Sequence, residues 1–176
     1  MTKNKQKFMI VDGNAILHRA WHALPPMIIK DGTVVHAAYG FITTFFKALK
    51  EFKPDFVAVT FDRKEKTFRH EESKEYKAKR VKQPDELYAQ IPIVKEILAA
   101  LNIQVYEKAG FEADDVIGTL ARASQKNAKS DMPSQMLRQA GAKQPASVET
   151  PAGRREILNV IVTGDMDTLQ LVDDNT

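Results

Sequence analysis

The chain contains no cysteine, and that single absence removes several chemistries at once. Disulfides, thiol nucleophiles and cysteine metal sites are excluded, and a reducing compartment is the expected setting. No apolar run is long enough to cross a bilayer. The opening MTKNKQKFMIVDG ends its short apolar run at an acid, unlike a signal peptide. A cytoplasmic location with no membrane partner is therefore expected. A Walker A loop and a nucleophile elbow are also missing, which argues against a nucleoside triphosphatase and against serine-based acyl transfer. Of His18, His22, His36 and His70, only His18 and His22 have paired spacing, too little for a zinc centre. Charge of either sign is not in large excess: the net value is +3, so its distribution says more than its sum.

What is present suffices for one core, since the chain has 176 residues and 43% are hydrophobic. Residues 7–11 form an apolar run closed by Asp12-Gly13, the mark of a buried strand turning at its end. Asn14 is placed to cap a helix through Ala15, Leu17 and Ala20, which Leu24-Pro25-Pro26 ends. MIIKDGTVVH reads as a hairpin about Asp31-Gly32, and AAYGFITTFFKALKEF carries apolar residues at helical spacing. Beyond Pro54, the near-continuous apolar residues 56–61 suit a strand buried on both faces. Pro84 and Asp85 start a helix over residues 86–101, with Leu87, Ile91, Val94 and Leu98 on one stripe.

Residues 102–106 and 157–162 are further strand candidates, and another helix is expected from about Asp167. Residues 124–156 differ in character: they are polar, with Pro133, Pro145 and Pro151 as breakers, and read as a long, mobile surface excursion. A short helix over 134–139 is allowed there. Strand and helix signals alternate along the rest, which predicts a parallel α/β sheet with helices on both faces.

Acids recur where these strands end. Asp12, Asp62 and the pair Asp165/Asp167 follow apolar runs, while Glu112, Asp114 and Asp115 open a helix in GFEADDVIGTLA. In an open parallel sheet the carboxyl ends of the strands line one crevice, so acids distant in sequence can meet. One acid at a helix start is a cap and a second complements the dipole, each contributing ~0.3–1 kcal/mol. A third adds repulsion and little capping, which points to a cation. Glu112 and Asp115 can share a helix face, whereas Asp114 points elsewhere.

TGDMDT can present Asp165 and Asp167 together, although on its own a plain loop is the better reading. Asp12 and Asp62 taken singly are a common turn and a common surface pair. Their coincidence at the edges of one sheet favours an oxygen-only site for hard divalent cations, Mg²⁺ or Mn²⁺. Two such ions roughly 4 Å apart suit hydrolysis of a phosphodiester.

Residues 63–82, RKEKTFRHEESKEYKAKRVK, are basic and polar with Phe68 and Tyr76 interleaved, which suits contact with phosphate backbones. A solvated helix laced by glutamate and lysine pairs explains the charge equally well.

The ordered set VDGNAILHRAWHAL, AYGFITTFFKALKEFKPDFVAVTFD, TFRHEESKEYKAKR, GFEADDVIGTLA and VTGDMDTLQLV resembles the 5′ nuclease domain of bacterial DNA polymerase I, of the flap endonuclease superfamily. The resemblance implies a PIN-like α/β fold, a central, mainly parallel twisted sheet with helices on both faces, and one N-terminal exonuclease domain over residues 1–176. It implies a monomeric, divalent-metal-dependent 5′-3′ exonuclease or flap endonuclease. Its substrates would be DNA with 5′ ends or flaps and RNA primers in RNA–DNA hybrids, in replication and repair.

Carried over by motif, Asp12, Asp62, Glu112 and Asp114 would serve one metal, and Asp115, Asp165 and Asp167 the second or its waters. Lys77 and Arg80 would contact the scissile phosphate, Tyr76 would stack on a terminal base, and Arg19 and Arg69 would bind substrate. The family continues past the position of Thr176 with further acids and a helix-hairpin-helix element, both absent here, and its connection at 124–156 is shorter. A non-catalytic nucleic-acid-binding domain is the alternative that this departure keeps open. A PIN-type ribonuclease is another, against which the segment 69–80 counts.

Overall fold

A computed structural model describes residues 5–63, 65, 67–69, 83–127 and 156–176. Strand β1 is Gln6–Asp12, followed by helix α1, Gly13–Ala23, and helix α2, His36–Phe52. Strand β2 is Phe56–Thr60; helices α3, Asp85–Tyr88, and α4, Gln90–Ala100, lead to β3, Gln104–Tyr106. Helix α5 is Ala113–Asn127, strand β4 is Ile157–Val162, and a 3₁₀ helix spans Met166–Leu171.

The strands lie in the order β3-β2-β1-β4, and every pair is parallel. Chain order therefore reverses at β1, which has β2 on one side and β4 on the other. Outside the carboxyl ends of strands at such a reversal, helices diverge and leave a crevice. Asp12 pairs in register with Thr60, and Val11 with Val162, so the residues after β1, β2 and β4 emerge along one edge.

Alternation of side chains along β1 divides the core. Met9 and Val11 face a cluster built from Ile16 and Leu17 of α1, Phe41 and Phe45 of α2, and Val94 and Leu98 of α4. Phe8 and Ile10 face the opposite side, against Ile117, Leu120 and Ala121 of α5. Helices cover both faces, as expected of strands with near-continuous apolar character. Gly13 makes the tight exit from β1 feasible: a Cβ there would lie 2.5 Å from the Phe61 ring and 2.6 Å from the Thr60 carbonyl oxygen.

Several local expectations are corrected. Asn14 does not cap α1; Asp12 does, its Oδ1 accepting from the Ala15 N–H at 2.9 Å, so the helix starts at Gly13. The helix expected over 86–101 is two pieces, because Pro92 lacks the N–H that would reach the Tyr88 carbonyl. The strand expected over 102–106 begins only at Gln104, since Asn102 takes a left-handed φ of 56° to close the preceding helix. Helix α5 runs to Asn127, past the boundary expected near residue 124. The segment expected to form a helix from Asp167 is the 3₁₀ turn, with Thr168 Oγ1 donating to the Asp165 carbonyl at 2.8 Å. The hairpin about Gly32 is reduced to one antiparallel bridge, Ile28 with Val34. The short helix allowed over 134–139, the mobile excursion itself and most of the basic stretch lie outside the described residues.

The start of α2 has no capping side chain of its own. Gln90, fully buried, supplies one from α4: its Oε1 accepts from the Ala38 N–H at 2.9 Å and its Nε2 donates to the Glu86 carbonyl at 3.1 Å.

Candidate metal centre

Asp12 ends β1 and is buried, with 4% of its surface exposed. Besides the Ala15 N–H, it accepts from the Thr163 hydroxyl, which reaches Oδ2 at 2.9 Å from the end of β4. Burial pushes its carboxyl up, the two hydrogen bonds pull it down, and Asp62 and Asp165 push it up again; the net shift is upward.

Asp62, two residues beyond β2, is exposed but held on both oxygens. Oδ2 accepts from Asn14 Nδ2 at 2.8 Å, and Oδ1 accepts from the Ala113 N–H at 2.6 Å, capping α5 from outside. Asn14 closes the link by accepting from the Asp62 N–H at 3.3 Å.

Asp114, in the first turn of α5, carries the clearest electrostatic signature. Its carboxyl is pushed up to about 6, first by burial and then by Asp12, Asp165, Asp62 and Glu112. Those five carboxylates therefore share one field at the reversal point of the sheet. Among the described residues, none donates a hydrogen bond to Asp114. Asp165 holds the 3₁₀ turn, its Oδ1 accepting from the Asp167 N–H at 2.9 Å and its own N–H donating to Thr163 Oγ1 at 3.0 Å.

Two of the expected acids stand apart. Asp115 turns to Arg69, which donates from Nη1 and Nη2 to its two oxygens, each at 2.7 Å. Asp115 Oδ2 also accepts from the Glu112 N–H at 3.0 Å, a cap on the same helix. Asp167 is exposed and is not among the acids acting on Asp12 or Asp114.

Arg69 also reaches Glu112 at 3.5 Å, so this residue, expected to bind substrate, is engaged within the acidic helix start. Arg19 is exposed, and its stem lies beside the turn after β4, since a Cβ on Gly164 would sit 3.8 Å from Arg19 Cδ. Tyr76, Lys77 and Arg80 lie outside the described residues.

The motif reading overlooked Thr163 and Asn14. Each lies beside one acid in sequence, in VTGDMDT and VDGN, but bonds the carboxylate of a distant one, Thr163 that of Asp12 and Asn14 that of Asp62, so no local signal names the pairing.

The donor set fits a hard divalent cation by chemistry: it is all oxygen, Asp12 and Asp62 keep unused lone pairs, and the repulsion raising Asp114 is what a cation would relieve. As the side chains stand, no three among the described residues are gathered closely enough to hold an ion. Among the described residues, no helix is long and apolar enough to cross a membrane.

The chain is 42% identical over 169 residues to DNA polymerase I of Caldicellulosiruptor bescii, covering 96% of this chain and 17% of that protein. It is 44% identical over 127 residues to DNA polymerase I of Bacillus subtilis, covering 72% of this chain and 14% of that one. The chain thus spans less than a fifth of the length of these relatives.

Among solved structures, the T5 D15 protein co-crystallised with metal ions matches with a TM-score of 0.60 at 16% identity, over 97% of this chain and 53% of that one. The T5 5′-exonuclease with divalent zinc ions bound matches with a TM-score of 0.55 at 18% identity, over 97% and 53% respectively. These likenesses show the fold, which is PIN-like. Residues 7–136 match the model of the 5′-3′ exonuclease, N-terminal resolvase-like domain, and the chain belongs to that nuclease family.

Proposed function

We propose that this chain is the 5′-3′ exonuclease part of a DNA polymerase I, hydrolysing phosphodiesters at 5′ ends and flaps of DNA with Mg²⁺ or Mn²⁺. The observation that carries the reading is the gathering of Asp12, Asp62, Glu112 and Asp165 about Asp114 at the sheet reversal, where burial first and then their charge push the Asp114 carboxyl up to about 6. Asp12, Asp62, Glu112 and Asp114 would hold one ion; Asp165, Asp167 and Asp115 would hold a second or order its waters. Bound there, such ions supply activation of water and stabilisation of charge at the phosphoryl oxygens.

The chain's own residues do the positioning. Thr163 and the Ala15 N–H fix both oxygens of Asp12, and Asn14 and the Ala113 N–H fix those of Asp62. Arg19, whose stem lies beside the turn after β4, would meet a phosphate entering the crevice. Lys77 and Arg80 would offset charge on the scissile phosphate, and Tyr76 would stack on a terminal base, worth ~1–3 kcal/mol. RNA primers as substrates, two ions, a monomeric state and a cytoplasmic location belong to the same proposal.

The test is cleavage of a 5′-labelled flap duplex by the whole chain with Mg²⁺, set beside Asp12→Asn and Asp165→Asn. Loss of cleavage by at least a hundredfold in both variants supports the mechanism. Metal-independent cleavage, or full activity in either variant, refutes it; binding without cleavage points to a nucleic-acid-binding domain, and preference for single-stranded RNA to a ribonuclease.

A further inference from the structure

Arg69 does something the arrangement of acids alone does not require. Its guanidinium grips both oxygens of Asp115 and approaches Glu112, drawing them toward the segment that precedes the 70–82 stretch. The same segment is docked by its neighbour. The Phe68 N–H donates to the Gly110 carbonyl at 3.0 Å, and the Phe68 and Phe111 rings pack with centroids 5.7 Å apart. The guanidinium also lies over the Phe68 ring, 4.7 Å from its centroid. Residues 68–69 and 110–115 therefore form one clasp at the start of α5.

In the function proposed above, Asp115 would serve a cation, and the clasp holds that same carboxylate. Asp114 faces the other acids, whereas the adjacent Asp115 is neutralised by a cation of the chain's own. A bidentate guanidinium pair is geometrically specific, and neither oxygen can give its full charge to a metal while both are held.

We propose that Arg69 is a positioning residue that competes with a divalent cation for Asp115, so that cation binding and docking of the Phe68-Arg69 turn oppose each other. The inference rests on the acidic cluster being a cation site. Coupling of this kind is reciprocal: whatever Arg69 takes from the cation's affinity, the cation takes from the clasp. Cation binding would thus loosen the segment leading into residues 70–82 and release a guanidinium beside the site.

The experiment is a Mn²⁺ titration by calorimetry on the whole chain, for the wild type, Arg69→Gln, Arg69→Lys, Asp115→Asn and the Arg69→Gln/Asp115→Asn double variant. Arg69→Gln should tighten Mn²⁺ binding by roughly 5-fold or more, Arg69→Lys by less, and the gain should vanish in the Asp115→Asn background. An equal gain in that background would show Arg69 acting only through its charge at large and would overturn the proposal, as would unchanged or weaker binding in Arg69→Gln.

Hydrogen exchange of the unaltered chain gives a second reading that needs no variant. Mg²⁺ should speed exchange of the Phe68 amide; no change, or slower exchange, counts against the clasp being released. A wild type that binds no Mn²⁺ overturns the cation-site reading along with this one, whereas binding without the Arg69 effect overturns this one alone.

Discussion

The hydroxyl of Thr163 donates to Oδ2 of Asp12 at 2.9 Å, joining the ends of β4 and β1 across 151 positions of sequence. Thr163 Oγ1 in turn accepts from the Asp165 N–H at 3.0 Å, so one hydroxyl ties two acids together. Thr163→Val keeps the shape and removes both bonds. It should cost about 1–3 kcal/mol in urea unfolding and lower flap cleavage while leaving the circular dichroism spectrum unchanged. Wild-type stability and activity would refute this role.

Asp114 makes the stability of the chain depend on pH in an unusual direction when divalent cations are absent. Its folded value of about 6 lies above the ordinary 3.8, so the folded chain holds the proton more tightly. The contribution is present at low pH and is lost as pH rises from about 4 through about 6. Asp12, also shifted upward, acts with the same sign. Thermal melts in EDTA should show Asp114→Asn to be more stabilising at pH 7 than at pH 4.5, and Mg²⁺ should shrink that difference. A flat difference across this range would show that burial and the neighbouring acids do not raise Asp114.

Gln90→Leu should destabilise the chain by about 1–3 kcal/mol, because it strips the Ala38 N–H of its acceptor in a buried place. Chemical unfolding monitored at Trp21 measures it. A neutral result would mean that water reaches the start of α2.

Gly13→Ala should cost about 1–3 kcal/mol, since the added methyl meets the Thr60 carbonyl and the Phe61 ring at the exit of β1. The backbone must shift next to Asp12, so weaker Mn²⁺ binding is expected alongside the lower melting temperature. Loss of stability with unchanged Mn²⁺ affinity would show that the strain is absorbed away from the site.

Most of the architecture was legible because burial leaves a periodic trace. The continuous apolar character of FMIV and FVAVT marked strands covered on both faces, and those strands are the centre of the sheet. Boundaries were less legible where two local preferences compete. Asp12 and Asn14 are both good caps, and only the path of β1 into α1 selects Asp12. Pro92 was visible in the sequence, yet it lies off the stripe of Leu87, Ile91, Val94 and Leu98, whose periodicity continues across the break it makes.

The sequence by itself determined the chemical character of the site: oxygen donors, with no cysteine in the chain, placed after strands and at one helix start. Tertiary structure decided which of these acids act on one another. Strand order puts Asp12, Asp62 and Asp165 beside Asp114, while a guanidinium 46 positions away draws Asp115 out of that company. The reason is physical. Residue type and spacing set what a carboxylate can bind, but charge interactions fall off with distance, and those distances exist only in the folded chain.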